Sequence, residues 1–236
     1  MTTPRHAAVI GGSAGIGLAT ARLLAAHGSK VTVGGRNADR LAACRAEIGV
    51  DTIQVDATDD ESLRAFFAEA GPIDDLVITV TRRGGAGPAN ALDADQLLEA
   101  FAGKTTAHLE AVALALPTLS DHGSVTLVSA GSAQSALPGT AGLAAVNGAL
   151  EAAVPVLARE LGPRRVNAVS PGVIETEWWN GMPEDDRRAM FADFAARAPV
   201  GRNGQADDVA QAIVALVENG FISGVVLPCD GGLRLT

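Results

Sequence analysis

Gly11-Gly12-Ser13-Ala14-Gly15-Ile16-Gly17 decides how this chain folds, because of what stands on either side of it. Before it lies the apolar run 7–10; after it comes 16–27, where Leu18, Ala21, Leu24 and Ala25 recur at helical spacing on one face. A strand, a glycine turn and a helix N-terminus in that order form a cradle for an anion. Glycines leave no side chain to hold a pyrophosphate off the backbone, and the first-turn N–H groups with the helix dipole meet its charge. The spacing is G-x-x-x-G-x-G rather than the better-known G-x-G-x-x-G, so its weight comes from its place between strand and helix. Gly11, Ser13, Gly15, Ile16 and Gly17 are the candidate contacts.

Working outward, short apolar runs at 30–33, 52–55, 75–80, 124–128, 165–169 and 224–227 alternate with longer stretches of helical spacing. Such alternation predicts an α/β fold with a parallel sheet of about seven strands and helices on both faces. Runs such as 76–80 and 125–128 are mainly apolar rather than alternating, as expected of strands covered on both sides. In such sheets ligands bind beyond the carboxyl ends of the strands. The second run ends there in Val33-Gly34-Gly35-Arg36-Asn37. A carboxylate at that point would accept from an adenosine ribose and repel a 2′-phosphate, whereas an arginine accommodates the phosphate. Arg36, with Asn37 beside it, therefore points to NADP(H) rather than NAD(H).

The 236 residues are 47% hydrophobic and 19% charged, which describes an ordinary globular chain and excludes disorder as its main state. No linker, repeat or like-charge block divides it, so a single domain over 1–236 is expected. A net charge of −9 argues against a nucleic acid or an anionic membrane as partner. The two cysteines, Cys44 and Cys229, make neither a disulfide scaffold nor a cysteine metal site, and a reducing, cytoplasmic setting follows. The short polar start at 1–6 leads into only a few apolar residues, so no signal peptide or membrane span is expected. There is no tyrosine anywhere. Chemistry that needs a phenol as proton donor is excluded.

Five motifs together resemble the short-chain dehydrogenase/reductase family. They are the glycine loop, Arg36, Asp56-Ala57 after the third run, Arg165-Val166-Asn167-Ala168-Val169-Ser170-Pro171-Gly172, and Asp230-Gly231-Gly232 near the end. They stand in the family's order and span nearly the whole chain. The resemblance implies a Rossmann-like, doubly wound sheet of order 3-2-1-4-5-6-7. It implies that Asp56 bonds the adenine amino group with the Ala57 backbone beside it, and that the Pro171-Gly172 turn supports the nicotinamide. Ile174 would offer backbone to the carboxamide and Thr176 would bond the same end. Thr79 is a further candidate contact, in the stretch Ile78-Thr79-Val80-Thr81 that replaces the family's Asn-Asn-Ala-Gly turn.

The resemblance breaks where the family does its chemistry. Its reductases carry a tyrosine and a lysine one helical turn apart, a serine upstream and an asparagine on the preceding helix; the tyrosine donates a proton as hydride arrives. In this chain Leu143 stands at the tyrosine position, Asn147 at the lysine, Ala130 at the serine and Lys104 at the asparagine. Lys104 and Asn147 read as an exchange of lysine and asparagine between two helices, with Lys104 as acid–base group or direct donor and Asn147 taking over a ribose contact. Ser129, one residue before the vacated serine position, and Ser132 are candidates to hold a substrate oxygen. His108, four residues beyond Lys104, is a second titratable candidate.

Arg82 and Arg83 in the loop after the fourth strand could hold an anionic group. Trp178 and Trp179, the only tryptophans, sit where the family places a substrate lid, here 175–200, and suggest a large apolar or aromatic substrate. Helix 143–161 is apolar around much of its circumference, and the resemblance implies a homodimer or homotetramer through it, although Pro155 interrupts its bonding. No metal site is expected. The expectation is an NADP(H)-dependent oxidoreductase acting on a carbonyl, an imine or iminium, or an activated enone through a rebuilt centre. The alternatives are a nucleotide-binding but catalytically silent homologue and, with less support from the cofactor motifs, a non-redox enzyme reusing the pocket.

Overall fold

The computed structural model describes residues 4–236, so residues 1–3 of the polar start lie outside it. Seven strands form one all-parallel sheet in the order β3-β2-β1-β4-β5-β6-β9. They are β1 (His6–Ile10), β2 (Lys30–Gly35), β3 (Asp51–Gln54), β4 (Ile73–Ile78), β5 (Leu119–Val128), β6 (Arg165–Pro171) and β9 (Val226–Cys229). The expected order 3-2-1-4-5-6-7 is thus observed, with β9 as the seventh strand.

The two-residue period of a strand distributes its side chains between two layers of helices. On one face Ala8, Ile10, Leu76, Ile78 and Leu127 pack against α3 (Asp60–Ala70), α5 (Ala107–Ala115) and α6 (Ala141–Glu160) through Phe66, Ala111 and Leu150. On the other, Ala7, Val9, Val33, Val77 and Val169 pack against α1 (Gly15–Ala26), α2 (Ala38–Ile48) and α8 (Ala206–Glu218) through Leu24, Leu41 and Ile213. Both faces being dry is why these strands lack polar alternation.

Several strand limits depart from the pattern. The fourth strand runs Ile73–Ile78 rather than 75–80, because Asp74 disguises its start and the strand ends before Thr79 and Val80. Asp75 is only 1% exposed and lies 2.8 Å from Arg5 and 2.6 Å from Ser124 Oγ, which donates to it. The fifth strand extends back to Leu119 and the third runs Asp51–Gln54. The seventh starts at Val226 rather than 224 and holds Pro228, which an edge strand tolerates. A short parallel pair, β7 (Ile174–Glu175) with β8 (Gly204–Gln205), was not expected; it closes the base of the segment 176–203, which carries α7 (Glu184–Arg197).

Pro155 does not end α6, which runs through it; the proline is exposed, and the bond it removes is the one the Glu151 carbonyl would accept. By length and mean hydropathy (1.5) α6 would also pass for a membrane span, but Val146, Leu150 and Val154 pack it onto the sheet.

Candidate active site

The carboxyl ends of β1, β4, β5 and β6 open into one cleft of about 950 Å³. It sits where the sheet order reverses between β1 and β4, the switch point at which such sheets bind ligands. Gly11, Ser13, Gly15, Ile16, Gly17, Arg36, Asn37, Asp56, Ala57, Thr79, Pro171, Gly172, Ile174 and Thr176 all line it. One expected contact, Asn147, does not.

The glycine loop is tight for reasons that can be stated atom by atom. A Cβ on Gly17 would lie 2.2 Å from the Gly11 carbonyl oxygen, and one on Gly11, whose φ is +87°, would lie 2.6 Å from Thr79 Oγ1. At Gly15 (φ +51°) a Cβ would instead point across the cleft toward Thr176, 3.5 Å away. The helix that follows is left uncapped: Ala14 at its N-cap provides no side-chain bond, and its first turn has no acidic residue. By contrast α2 is capped by Asn37 and α3 by Asp59. Free amides at a dipole's positive end, facing a cleft with no side chain in between, fit a pyrophosphate. At the same end Arg36 and Arg40 are exposed, and among the described residues neither has a salt-bridge partner. Asp56 lies near Arg36 and Arg82; the Thr58 N–H bonded to it, then those charges, keep its carboxyl below the usual range. The residues present therefore fit a dinucleotide with an additional phosphate at its adenosine end. Asn37 lines the cleft, but its side chain accepts from Arg40 N–H as a helix cap.

At the other end stand three of the four altered positions, Lys104, Ala130 and Leu143. Lys104 stands in a wide turn, Ala102–Thr106, whose bonding is that of a π-helix, between α4 (Ala94–Phe101) and α5. Such turns often mark functional sites because they push one side chain out of the helical register. Lys104 is 7% exposed, lines the cleft beside Leu143 and Ala130, and donates from Nζ to the Ser129 carbonyl oxygen at 3.0 Å. Its other two N–H groups have no protein acceptor among the described residues. Burial lowers it to about 8, against a smaller opposing pull from Glu151.

Three candidates take other roles. Asn147 folds back on its own helix, donating to the Leu143 carbonyl (2.8 Å) and Ser132 Oγ (3.2 Å); it does not reach the cleft, so the expected ribose contact is corrected. Ser129 lines the cleft, yet its hydroxyl donates to Glu151 Oε1 at 2.6 Å, so it is not free to hold a substrate oxygen. His108 is fully buried between the carbonyls of Lys104 and Ile78, and burial drives it down to about 3; it is a packing residue, neutral at working pH. Ser132 does line the cleft.

Glu151 escaped sequence analysis. It lies one turn beyond Asn147 and two beyond Leu143, and accepts from Ser129 Oγ, Ser170 Oγ (2.7 Å) and Gln134 Nε2 (2.9 Å). The spacing 143, 147, 151 was its one available signal.

Over the cleft lies a short 3₁₀ turn, Glu177–Gly181, with both tryptophans. Trp179 donates its indole N–H to the Ile174 carbonyl (2.8 Å) and meets the Phe191 ring edge-on at 6.1 Å. Trp178 is 37% exposed, with the Arg83 guanidinium 5.2 Å above its ring and bonded to its carbonyl oxygen. Arg82 lines the cleft and pairs with Glu99 at 3.0 Å. No cluster of metal-ligating side chains occurs among the described residues.

Known proteins agree with this geometry. The family model described as enoyl-(acyl carrier protein) reductase matches residues 11–234. The chain is 34% identical over 249 residues to cis-4-hydroxycyclohexanecarboxylate dehydrogenase of Sinomonas cyclohexanicum, covering 97% of this chain and 96% of that one. A small-chain dehydrogenase solved in complex with NADPH superposes with a TM-score of 0.88 at 31% identity, over 99% of this chain and all of that one. An NADPH-bound short chain oxidoreductase from Pseudomonas aeruginosa PAO1, described as containing an atypical catalytic center, superposes with a TM-score of 0.89 at 26% identity, over 97% and 96%. With the switch-point cleft, the uncapped glycine loop and a match running from residue 11 to 234, this chain belongs to the short-chain dehydrogenase/reductase family.

Proposed function

We propose that this protein is an NADP(H)-dependent reductase in which the Lys104 ammonium takes the place of the missing phenol. The observation that carries the reading is Lys104 itself: a buried cation lining the same cleft as the apolar Leu143 and Ala130, with unused donors. The unpaired Arg36 and Arg40 support the phosphorylated dinucleotide, as do the NADPH-bound structural neighbours. When bound, the cofactor supplies a hydride to the substrate carbon.

Lys104 then polarises the substrate oxygen and gives it the Nζ proton as negative charge develops there. The Ser129 carbonyl holds Nζ in place, and the apolar wall of Leu143 and Val146 keeps water from competing for it. Because the charged form is needed, reduction should fall as pH rises through about 8. A preformed iminium or a polarised enone would depend less on this proton than a simple ketone.

Trp178, Phe194 and Leu137 support an apolar ring as substrate body, and Arg82, Arg83 and Arg197 at the rim support a carboxylate. An alicyclic or aromatic keto acid combines the two, and the similar protein named for a hydroxycyclohexanecarboxylate points the same way. The segment 175–200 acts as lid. Exposed Leu98 on α4 and Val156 on α6 support association of two or more copies.

The test is NADPH oxidation with a panel of cyclic keto acids, their decarboxylated analogues, a cyclic iminium and an activated enone. Oxidation is expected with at least one class, and Lys104→Ala should slow ketone reduction by about 10² or more. Tight NADPH binding with no oxidation by any member would leave a silent, nucleotide-binding homologue, the outcome that the apolar Leu143 and Ala130 would then explain.

A further inference from the structure

A carboxylate lies behind the exchanged lysine, and neither the cofactor cleft nor the lid accounts for it. Glu151 does not line the cleft. Its Oε1 accepts from two hydroxyls at once, Ser129 at 2.6 Å and Ser170 at 2.7 Å, and its Oε2 accepts from Gln134. Ser129 follows the end of β5 and Ser170 lies near the end of β6, so one side chain of α6 ties two adjacent strand ends together under the cleft. Ser129 is also the residue whose carbonyl accepts from Lys104 Nζ. Pro155 leaves the Glu151 backbone carbonyl without its helical donor, so α6 departs from regular bonding at this same residue.

We propose that Glu151 is the positioning residue of the centre: by accepting from the Ser129 hydroxyl it fixes the strand end whose carbonyl holds the Lys104 ammonium, and it places a carboxylate behind that cation. This rests on the reading of Lys104 as the donor to the substrate oxygen. The charged and titratable groups packed around Lys104 are few. Glu151, on α6, is linked to it through Ser129; His108 is bonded to its carbonyl from α5 and is neutral; Arg82, from the loop after β4, packs its stem on Gly103 and points its charge to Glu99. Glu151 is therefore the one group here that favours the ammonium, and it does so in a desolvated setting where charges act strongly.

Glu151→Gln separates the two roles, because a glutamine Oε1 still accepts from both serines while the charge is gone. In the apo protein, the Lys104 side-chain titration followed by NMR should move down from about 8 by about one pH unit. The alkaline limb of NADPH oxidation should move with it, and KM should stay near the wild-type value. Glu151→Ala should add a rise in KM and a drop in kcat, because the Ser129 carbonyl is no longer fixed. If Glu151→Gln does not fold, Glu151→Ala removes the same charge and should move the titration in the same direction. A Lys104 titration unchanged in whichever variant folds overturns the proposal, whatever the turnover. A titration that moves while no substrate class is reduced upholds the pairing and overturns the reductase reading alone.

Discussion

Lys104 costs the fold something that its surroundings do not return. An ammonium 7% exposed keeps one bond to a carbonyl and loses most of its hydration, which is why its folded pKa falls from 10.5 to about 8. The sign of the linkage follows. Between about 8 and 10.5 the unfolded chain binds more protons than the folded one, so stability rises with pH across that window; below it the penalty is present in full. Lys104→Met keeps the stem and removes the charge. At pH 7 the variant should melt a few degrees higher, at roughly 2–4 °C per kcal/mol for a chain of this size. It should also lose the rise in stability above pH 8, while reducing ketones about 10² to 10⁴ times more slowly. Calorimetry at pH 7 and pH 9.5 beside turnover measures all three. A lower melting temperature at pH 7 would show that the charge is stabilised, not strained, and the depressed pKa would be wrong.

The two adjacent tryptophans show what an element does to neighbouring residues. Both tryptophans line the cleft, but the 3₁₀ turn Glu177–Gly181 anchors Trp179, indole N–H to the Ile174 carbonyl and ring edge to Phe191, and leaves the more exposed Trp178 beneath Arg83. Trp179→Ala should therefore cost stability, about 2 kcal/mol against roughly 3–5 for a fully buried aromatic, and lower the melting temperature. Trp178→Ala should leave it unchanged and raise KM for a ring-bearing substrate by about three- to tenfold. Equal effects of both variants on KM, with no change in melting, would refute this division. Sequence could place both residues in one segment after the Pro171-Gly172 turn but could not separate them, since separation depends on which way a short turn rolls. The same limit appears elsewhere. The glycine loop, Arg36 and Asp56 were legible because backbone geometry and strand ends fix them within a few residues of a recognisable pattern. Asn147 was misplaced because its helical position was legible but its choice of the Leu143 carbonyl over the cleft was not. Glu151 was missed because its partners, Ser129 and Ser170, come from strands distant in sequence. The start of β4 was hidden by Asp74, whose carboxylate finds its partner, the His6 N–H, only on the neighbouring strand.

At the scale of the whole molecule, charge and ligand are opposed in sign: a chain with a net charge of −9 would bind a polyanion. The sheet resolves the conflict by position. It brings the uncapped start of α1, Arg36 and Arg40 to one end of one cleft, so the local field is positive where the phosphates would lie. Screening over about 8–10 Å at ordinary salt then hides most of the distant acidic surface. Because the dinucleotide would bind only the folded state, its affinity is readable as stability. NADPH at a hundred times its Kd should stabilise by about 2.7 kcal/mol, and raise the melting temperature by roughly 5–10 °C. NADH at the same concentration should do clearly less, since it offers Arg36 and Arg40 no 2′-phosphate. Arg36→Ala should erase most of the difference while leaving the NADH effect in place, because the glycine loop and Asp56 serve both cofactors alike. The NADPH advantage should also shrink as salt is raised, as an exposed guanidinium–phosphate contact requires. Equal stabilisation by NADH and NADPH in the unaltered chain would assign Arg36 to the solvated surface, and with it would go the preference for the phosphorylated cofactor.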